Sequence, residues 1–232
     1  MKLVSVKEMQ AFERANAAET ISYADMMENA GRATALAVKR HWPDCHTARV
    51  LVMVGPGNNG GDGLVAARYL QKWGYHCEIY IWRRSLTEDP NLDKAKALGI
   101  AIHREWQDQN HTTLAQKASK ATILVDALLG TGATGPLRGT LPALIATVKQ
   151  RFAEVTRHTL RCANRPFDCA DRSNRRLVFA VDVPSGLNCD TGEIDERALH
   201  ADYCVTFAFP KPGQFRFPGA SKIGTLLVAD IG

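Results

Sequence analysis

The chain has no apolar run of membrane-spanning length, and Lys2, Lys7, Glu8, Glu13 and Arg14 occupy its N-terminal stretch without an apolar core between them. Neither a transmembrane helix nor a signal peptide is expected, and the reading is of a soluble, cytoplasmic protein. Six cysteines (Cys45, Cys77, Cys162, Cys169, Cys189, Cys204) are scattered with no C-x-x-C and no histidine at zinc spacing, which reads as reduced thiols used in packing. The seven histidines show no nucleophile or metal spacing. Pro184-Ser185-Gly186 is not G-x-S-x-G, so a serine hydrolase is not expected. Internal repeats and low-complexity tracts are absent as well. Aromatic residues make up only 7% of the chain, thin material for a surface that stacks bases.

A formal charge of +5 invites a nucleic-acid reading, but its distribution argues against one. Between Lys149 and Arg176 lie eight basic residues and only Glu154, Asp168 and Asp171 to oppose them, so this segment holds the whole excess. Arg151 to Arg176 reads as a long basic loop, a solvated insertion or a partner-binding patch, and nucleic acid is not an expected partner.

What is present is a run of buried-strand character that breaks into glycines and resumes as a helix. Val50-Leu51-Val52-Met53-Val54 lacks polar alternation, as a strand covered on both faces does. Gly55-Pro56-Gly57-Asn58-Asn59-Gly60-Gly61-Asp62-Gly63 follows, then a helical pattern over 63–72. Glycines at a strand-to-helix junction serve a tight turn, or they admit a phosphate to the backbone N–H groups of the helix start. The spacing is neither G-x-G-x-x-G nor G-x-x-x-x-G-K-[ST], so any phosphate is held in another way.

Further strands are expected at 77–82, 100–102, 122–126, 177–183, 203–208 and 225–229, with helices near 5–18, 22–41, 92–98, 111–118 and 140–150. Strands alternating with helices give a Rossmann-like α/β fold, a three-layer αβα sandwich with a mainly parallel sheet and extra N-terminal helices. One domain over 1–232 is expected, carrying the basic loop at about 151–176. In such sheets ligands bind beyond the carboxyl ends of the strands. Two strands close on an aspartate there, Asp126 and Asp182, each either a loop cap or a functional carboxylate.

These residues resemble the YjeF N-terminal domain family, the NAD(P)H-hydrate epimerases. The resemblance rests on Asn58-Asn59-Gly60-Gly61-Asp62-Gly63, on Val125-Asp126-Ala127-Leu128-Leu129-Gly130-Thr131-Gly132, on Ala180-Val181-Asp182-Val183-Pro184-Ser185-Gly186-Leu187, and on Phe209-Pro210-Lys211-Pro212-Gly213. Met26-Met27-Glu28-Asn29-Ala30-Gly31 extends it over nearly the whole chain. It implies an isomerase that interconverts the R and S forms of hydrated NADH and NADPH at C6 of the nicotinamide-derived ring. It implies that Asn59, Asp126 and Ser185 bind one potassium ion per subunit, an oxygen set suited to a monovalent cation.

The hydrated dinucleotide would be held by Asn58, Asn59, Gly60, Gly61, Asp62, by the loop Gly130, Thr131, Gly132, Ala133, Thr134, Gly135, Pro136, and by Asp182. Through the Ala133–Gly139 stretch the family pattern returns with a small shift. Asp182 is the expected acid/base, in competition with a role in holding a ribose or ring polar group. Its pKa would rise in a partly apolar site. Lys211 reads as a ligand contact or as a solvated turn lysine. The resemblance further implies a homodimer through the N-terminal helices and coupling to an ADP- or ATP-dependent dehydratase, fused or separate. A non-catalytic nucleotide-binding or scaffold module is the alternative use of the same fold. No residue in the sequence reports on the 2′-phosphate.

Overall fold

The computed structural model describes residues 2–162 and 175–232. Two helices come first, α1 (Val6–Glu19) and α2 (Tyr23–His41). Each starts on a serine whose hydroxyl oxygen accepts a first-turn N–H: Ser5 from Glu8 and Ser22 from Asp25. The Glu8 carboxylate accepts from the Ser5 N–H in return, closing a capping box.

Strands and helices then alternate: β1 (Arg49–Val54), α3 (Asn58–Lys72), β2 (His76–Ile81), α4 (Pro90–Ala97), β3 (Ala101–Arg104), α5 (Thr112–Lys120), β4 (Ile123–Ala127), α6 (Leu141–Cys162), β5 (Leu177–Val181). After β5 the crossovers shorten to loops and 3-10 turns before β6 (Tyr203–Phe207) and β7 (Thr225–Ala229). All seven expected strands form, in one sheet of order β3-β2-β1-β4-β5-β6-β7, and every pairing is parallel.

The period-2 geometry of β1 sorts its apolar run into two cores. Val50, Val52 and Val54 join Ala35 and Val38 of α2 and Leu64 and Ala67 of α3 on one face. Leu51 and Met53 join Leu114 of α5 and Leu144 and Val148 of α6 on the other. The result is the expected three-layer αβα sandwich. At roughly 1.5–3 kcal/mol per fully buried large aliphatic side chain, the doubly covered central strands dominate its stabilisation. Cys77 and Cys189 are buried thiols, pushed up to about 12 by that burial, and belong to the packing.

The order of strands reverses between β1 and β4, whose ends are tied by Gly55 N–H to Ala127 O at 3.0 Å. Their carboxyl ends, with those of β2 and β5 beside them, therefore frame the crevice where an open α/β sheet binds ligands. Helix α1 lies over the β5–β6 side of it. The Val4 N–H donates to Pro210 O, and the rings of Phe12 and Phe209 sit 5.5 Å apart.

Three boundaries differ from expectation. α3 begins at Asn58, so the glycines taken for a loop form its opening turns. α6 continues through Arg151 to Cys162, so the basic loop expected from 151 starts as helix; the part of that expectation over 163–174 lies outside the described residues. β5 ends at Val181, because Asp182 takes a left-handed φ of 61° that strand backbone cannot hold. No helix among the described residues is long and apolar enough to cross a membrane.

Candidate functional site

At the end of β1 the glycines divide by what surrounds them. A Cβ on Gly60 would run into the Gly55 carbonyl oxygen, one on Gly61 would lie 2.6 Å from Met27 Sδ, and one on Gly63 would lie 2.5 Å from Ala127 Cβ. These three are required by packing of α3 against its own loop, α2 and β4. Gly57 alone faces open space. It is the N-cap of α3 and gives no side-chain cap. Its carbonyl accepts from the Gly60 and Gly61 N–H groups, which leaves those of Asn58 and Asn59 without an acceptor in the helix. A helix start of this kind attracts an anion.

Arg84, just past β2, holds the turn in place. Its Nη1 donates to the carbonyls of Gly55 (3.0 Å) and Gly57 (2.8 Å), and its Nε pairs with Asp89 at 2.6 Å. Sequence reasoning missed Arg84, because nothing in its spacing from Gly55 marks a contact 29 residues away.

Asn59, Asp126 and Ser185 do come together, around the backbone of Leu129. Asp126 is 1% exposed and its carboxylate accepts from Ser185 Oγ (2.6 Å), Ser185 N (2.9 Å) and Leu128 N (3.3 Å). Burial pushes its pKa upward, and the bonds from Ser185 and Leu128 oppose the rise. Ser185 Oγ also accepts from Leu129 N at 2.9 Å, while Asn59 Nδ2 donates to Leu129 O at 3.0 Å. Gly130 presses on the same asparagine, so that a Cβ there would meet Asn59 Oδ1 at 3.4 Å. Amide, hydroxyl, carbonyl and single-carboxylate oxygens thus converge. Among the described residues no group of three or more His, Cys, Asp or Glu is placed to hold a metal, so this is not a multi-carboxylate divalent site.

The end of β5 presents an ion pair. Asp182 Oδ1 accepts from Lys211 Nζ (2.5 Å), Thr206 Oγ1 (3.0 Å) and Phe207 N (3.3 Å). Its own carbonyl accepts from Gln214 Nε2 and Cys204 Sγ. A non-glycine residue at φ 61° is strained, and these contacts are what hold it there. All the side-chain bonds fall on Oδ1, so the accessible oxygen of this largely buried carboxylate is Oδ2. Lys211 is 1% exposed, which corrects the solvated-turn reading of Pro210-Lys211-Pro212. Asp182 accordingly sits in a charged network, not in the partly apolar pocket expected for it.

Two further carboxylates complete the cluster. Asp62, on the second turn of α3, is buried, and burial holds its pKa well above the usual range; Asp182 and Glu13 add to the rise, Arg84 and Lys211 oppose it. Glu13 of α1 is raised by burial and by Asp182. Its place here had no signal in the sequence, since only the docking of α1 brings it over β5.

The second glycine-rich segment, Gly130 to Pro136, follows β4 as an exposed turn in which Ala133 N donates to Gly130 O at 3.1 Å. Thr131, Gly132, Thr134, Gly135 and Pro136 are at least partly open to solvent, and nothing stands within 4 Å of a Cβ on Gly132. Every expected site residue therefore lies on the carboxyl side of β1, β4 or β5.

A parallel sheet with an open helix start, a single-carboxylate oxygen cluster and a lysine-held aspartate at the carboxyl ends of its strands has the layout in which open α/β sheets bind ligands. The chain belongs to the family of the YjeF-related protein N-terminus, whose model matches residues 23–213. It is 35% identical over 213 residues to an NAD(P)H-hydrate epimerase of Rhodopirellula baltica, covering 89% of this chain and 74% of that one. It is 34% identical to the bifunctional NAD(P)H-hydrate repair enzyme Nnr of Thermofilum pendens, over all of this chain and 40% of the relative, so it spans about two fifths of that protein's length. The crystal structure of yeast ynu0 has the same fold, with a TM-score of 0.74 over 95% of this chain and 86% of that one at 23% identity.

Proposed function

We propose that the chain is an NAD(P)H-hydrate epimerase, interconverting the R and S forms of hydrated NADH and NADPH in the cytoplasm. The observation that carries the reading is the convergence on one crevice of the open start of α3, the Asn59–Asp126–Ser185 cluster and the Asp182–Lys211 pair. The diphosphate meets the N–H groups of Asn58 and Asn59, with Gly57 giving room for close approach. The segment Gly130–Pro136 closes over the ligand from β4.

Epimerisation at C6 needs no redox step. A proton delivered to the C6 hydroxyl lets the ring nitrogen's lone pair expel it as water, leaving an iminium, and water adds to the opposite face with return of that proton. Asp182 Oδ2 moves that proton, while Lys211, Thr206 and the Phe207 N–H fix Oδ1 and so orient the other oxygen. Asn59, Asp126, Ser185 and the Leu129 carbonyl are the residues that would hold a potassium ion, which when bound offsets the buried Asp126 charge beside the ligand's phosphates. A homodimer through α2, whose Tyr23 and Leu36 side chains are exposed, and a dehydratase partner, fused or separate, complete the reading.

The test is R/S interconversion of hydrated NADH, followed by chiral chromatography in potassium buffer and again with potassium replaced by lithium. Acceleration above the spontaneous rate, reduced in lithium, is expected. No acceleration by folded protein that still binds hydrated NADPH would leave a binding module in place of an enzyme.

A further inference from the structure

The epimerase reading fixes how an extended dinucleotide lies across the sheet. Its ring must reach Asp182 at the end of β5, and its diphosphate the start of α3 after β1. The sheet runs β2-β1-β4-β5, so the adenosine half, on the far side of the phosphates from the ring, falls beyond the end of β2. From β2 to β5 is three strand spacings, roughly 14 Å, which a dinucleotide spans. In α/β sheets of this strand order the end of β2 is where an acidic side chain takes up a ribose 2′-hydroxyl, or an arginine a 2′-phosphate.

Here β2 is followed by Trp82-Arg83-Arg84-Ser85, with no carboxylate before Glu88. The two arginines differ in what they do. Arg84 is committed to Asp89 and to the carbonyls of Gly55 and Gly57. Arg83 is exposed, sits at a left-handed φ of 51°, and carries its guanidinium over the Trp82 ring at 5.7 Å. It is directed toward the segment after β4: its Nη1 would lie 3.7 Å from a Cβ on Gly139. Trp82 Nε1 donates to Thr140 Oγ1 at 3.0 Å, so the end of β2 is tied to that segment, which brings the exposed Arg138 to the same rim. The backbone of Arg83 is strained at that φ, and strain of this kind collects where a side chain is aimed at a ligand.

We infer that Arg83, assisted by Arg138, binds the 2′-phosphate of the adenosine ribose, so that the chain prefers hydrated NADPH to hydrated NADH. Two guanidinium groups suit a phosphate dianion, to which they give paired, charge-assisted hydrogen bonds. Against a bare ribose the same pair gains little.

The inference rests on the proposed epimerase activity, and two measurements separate its failure from the failure of that activity. Calorimetric titration of the intact chain with 2′,5′-ADP and with 5′-ADP reads the 2′-phosphate alone. The first is expected to bind about tenfold or more tightly, and Arg83→Asn, which accepts a left-handed φ, is expected to abolish the difference. In turnover, Arg83→Asn is expected to lower kcat/KM for hydrated NADPH about tenfold while leaving hydrated NADH within about twofold, with Arg138→Ala giving a smaller loss of the same sign. Equal binding of the two nucleotides by the wild-type chain, or equal losses on both substrates, would overturn the inference. Discrimination by calorimetry without any turnover would uphold the phosphate site and remove the epimerase.

Discussion

Lys211 and Asp182 form a buried ion pair, Nζ to Oδ1 at 2.5 Å. Lys211 is 1% exposed, and among the described residues its ammonium donates, besides the carboxylate, to Thr206 Oγ1 and the Phe207 carbonyl. Asp182→Asn therefore strands an ammonium group, at a cost of about 3–5 kcal/mol. Urea denaturation is expected to show the loss, and the Asp182→Asn/Lys211→Met double variant should be less destabilised than the sum of the singles. Additive losses would mean the pair is not the unit described. Asp62 makes the opposite case. Because burial raises its pKa, the folded chain keeps a proton that the unfolded chain releases above about pH 4, so stability falls as pH rises from there toward the folded value. Asp62→Asn removes that dependence and is expected to melt above wild type at pH 8 and level with it near pH 4, while turnover drops. A melting difference that does not change with pH would dismiss the buried carboxylate as its cause. Asn59, Asp126 and Ser185 are legible in sequence because short motifs carry them. Glu13 and Arg84 are not, since helix docking and a loop crossing bring them in from afar.

Strands could be read because the central ones are buried on both faces, and continuous runs such as Ile123–Val125 and Leu177–Val181 are what that burial demands. The start of α3 could not. Glycine costs about 1 kcal/mol against alanine inside a helix, so Gly60, Gly61 and Gly63 together argue for a loop. Contacts that no local pattern contains outweigh that preference: α2 brings Met27 onto Gly61, and Gly31 lets Val65 of α3 approach so closely that a Cβ would collide with it. Gly57 and Gly60 separate the two kinds of requirement. Gly57→Ala meets no neighbour and has a φ of −91° that alanine adopts, so its melting temperature is expected to stay within a few degrees while KM rises about tenfold or more. Gly60→Ala drives a methyl into the Gly55 carbonyl and is expected to lose about 1–3 kcal/mol as well as activity. Thermal melts beside KM values decide this. A Gly57→Ala chain with unchanged KM would mean that no ligand approaches the start of α3.

Over the whole molecule, the candidate site and the point where the basic segment re-enters the sheet lie at opposite ends of the strands. The crevice is built at the carboxyl ends of β1, β2, β4 and β5, whereas the basic segment joins the end of α6 to the amino end of β5. Its two described C-terminal arginines are structural. Arg175 Nη1 donates to His41 O, while Arg176 donates to the carbonyls of Ala118, Ser119 and Phe152 and lies over the Phe152 ring at 4.9 Å, stitching α5, α6 and β5 together. Composition alone reads these residues as a solvated or partner-binding patch, because a count of charges cannot tell an arginine that caps helix carbonyls from one that meets solvent. Because it rejoins the sheet at the amino end of β5, the segment is expected to be dispensable for turnover as long as Arg175 and Arg176 remain. Replacing residues 163–174 by a short Gly-Ser linker is expected to leave kcat/KM within about twofold of wild type, whereas Arg176→Ala, which removes the donor shared by the Ala118 and Ser119 carbonyls at the end of α5 and the Phe152 carbonyl of α6, should cost about 1–3 kcal/mol in urea denaturation. A tenfold or greater loss of kcat/KM in the linker variant, with stability unchanged, would show that the segment acts on the crevice after all.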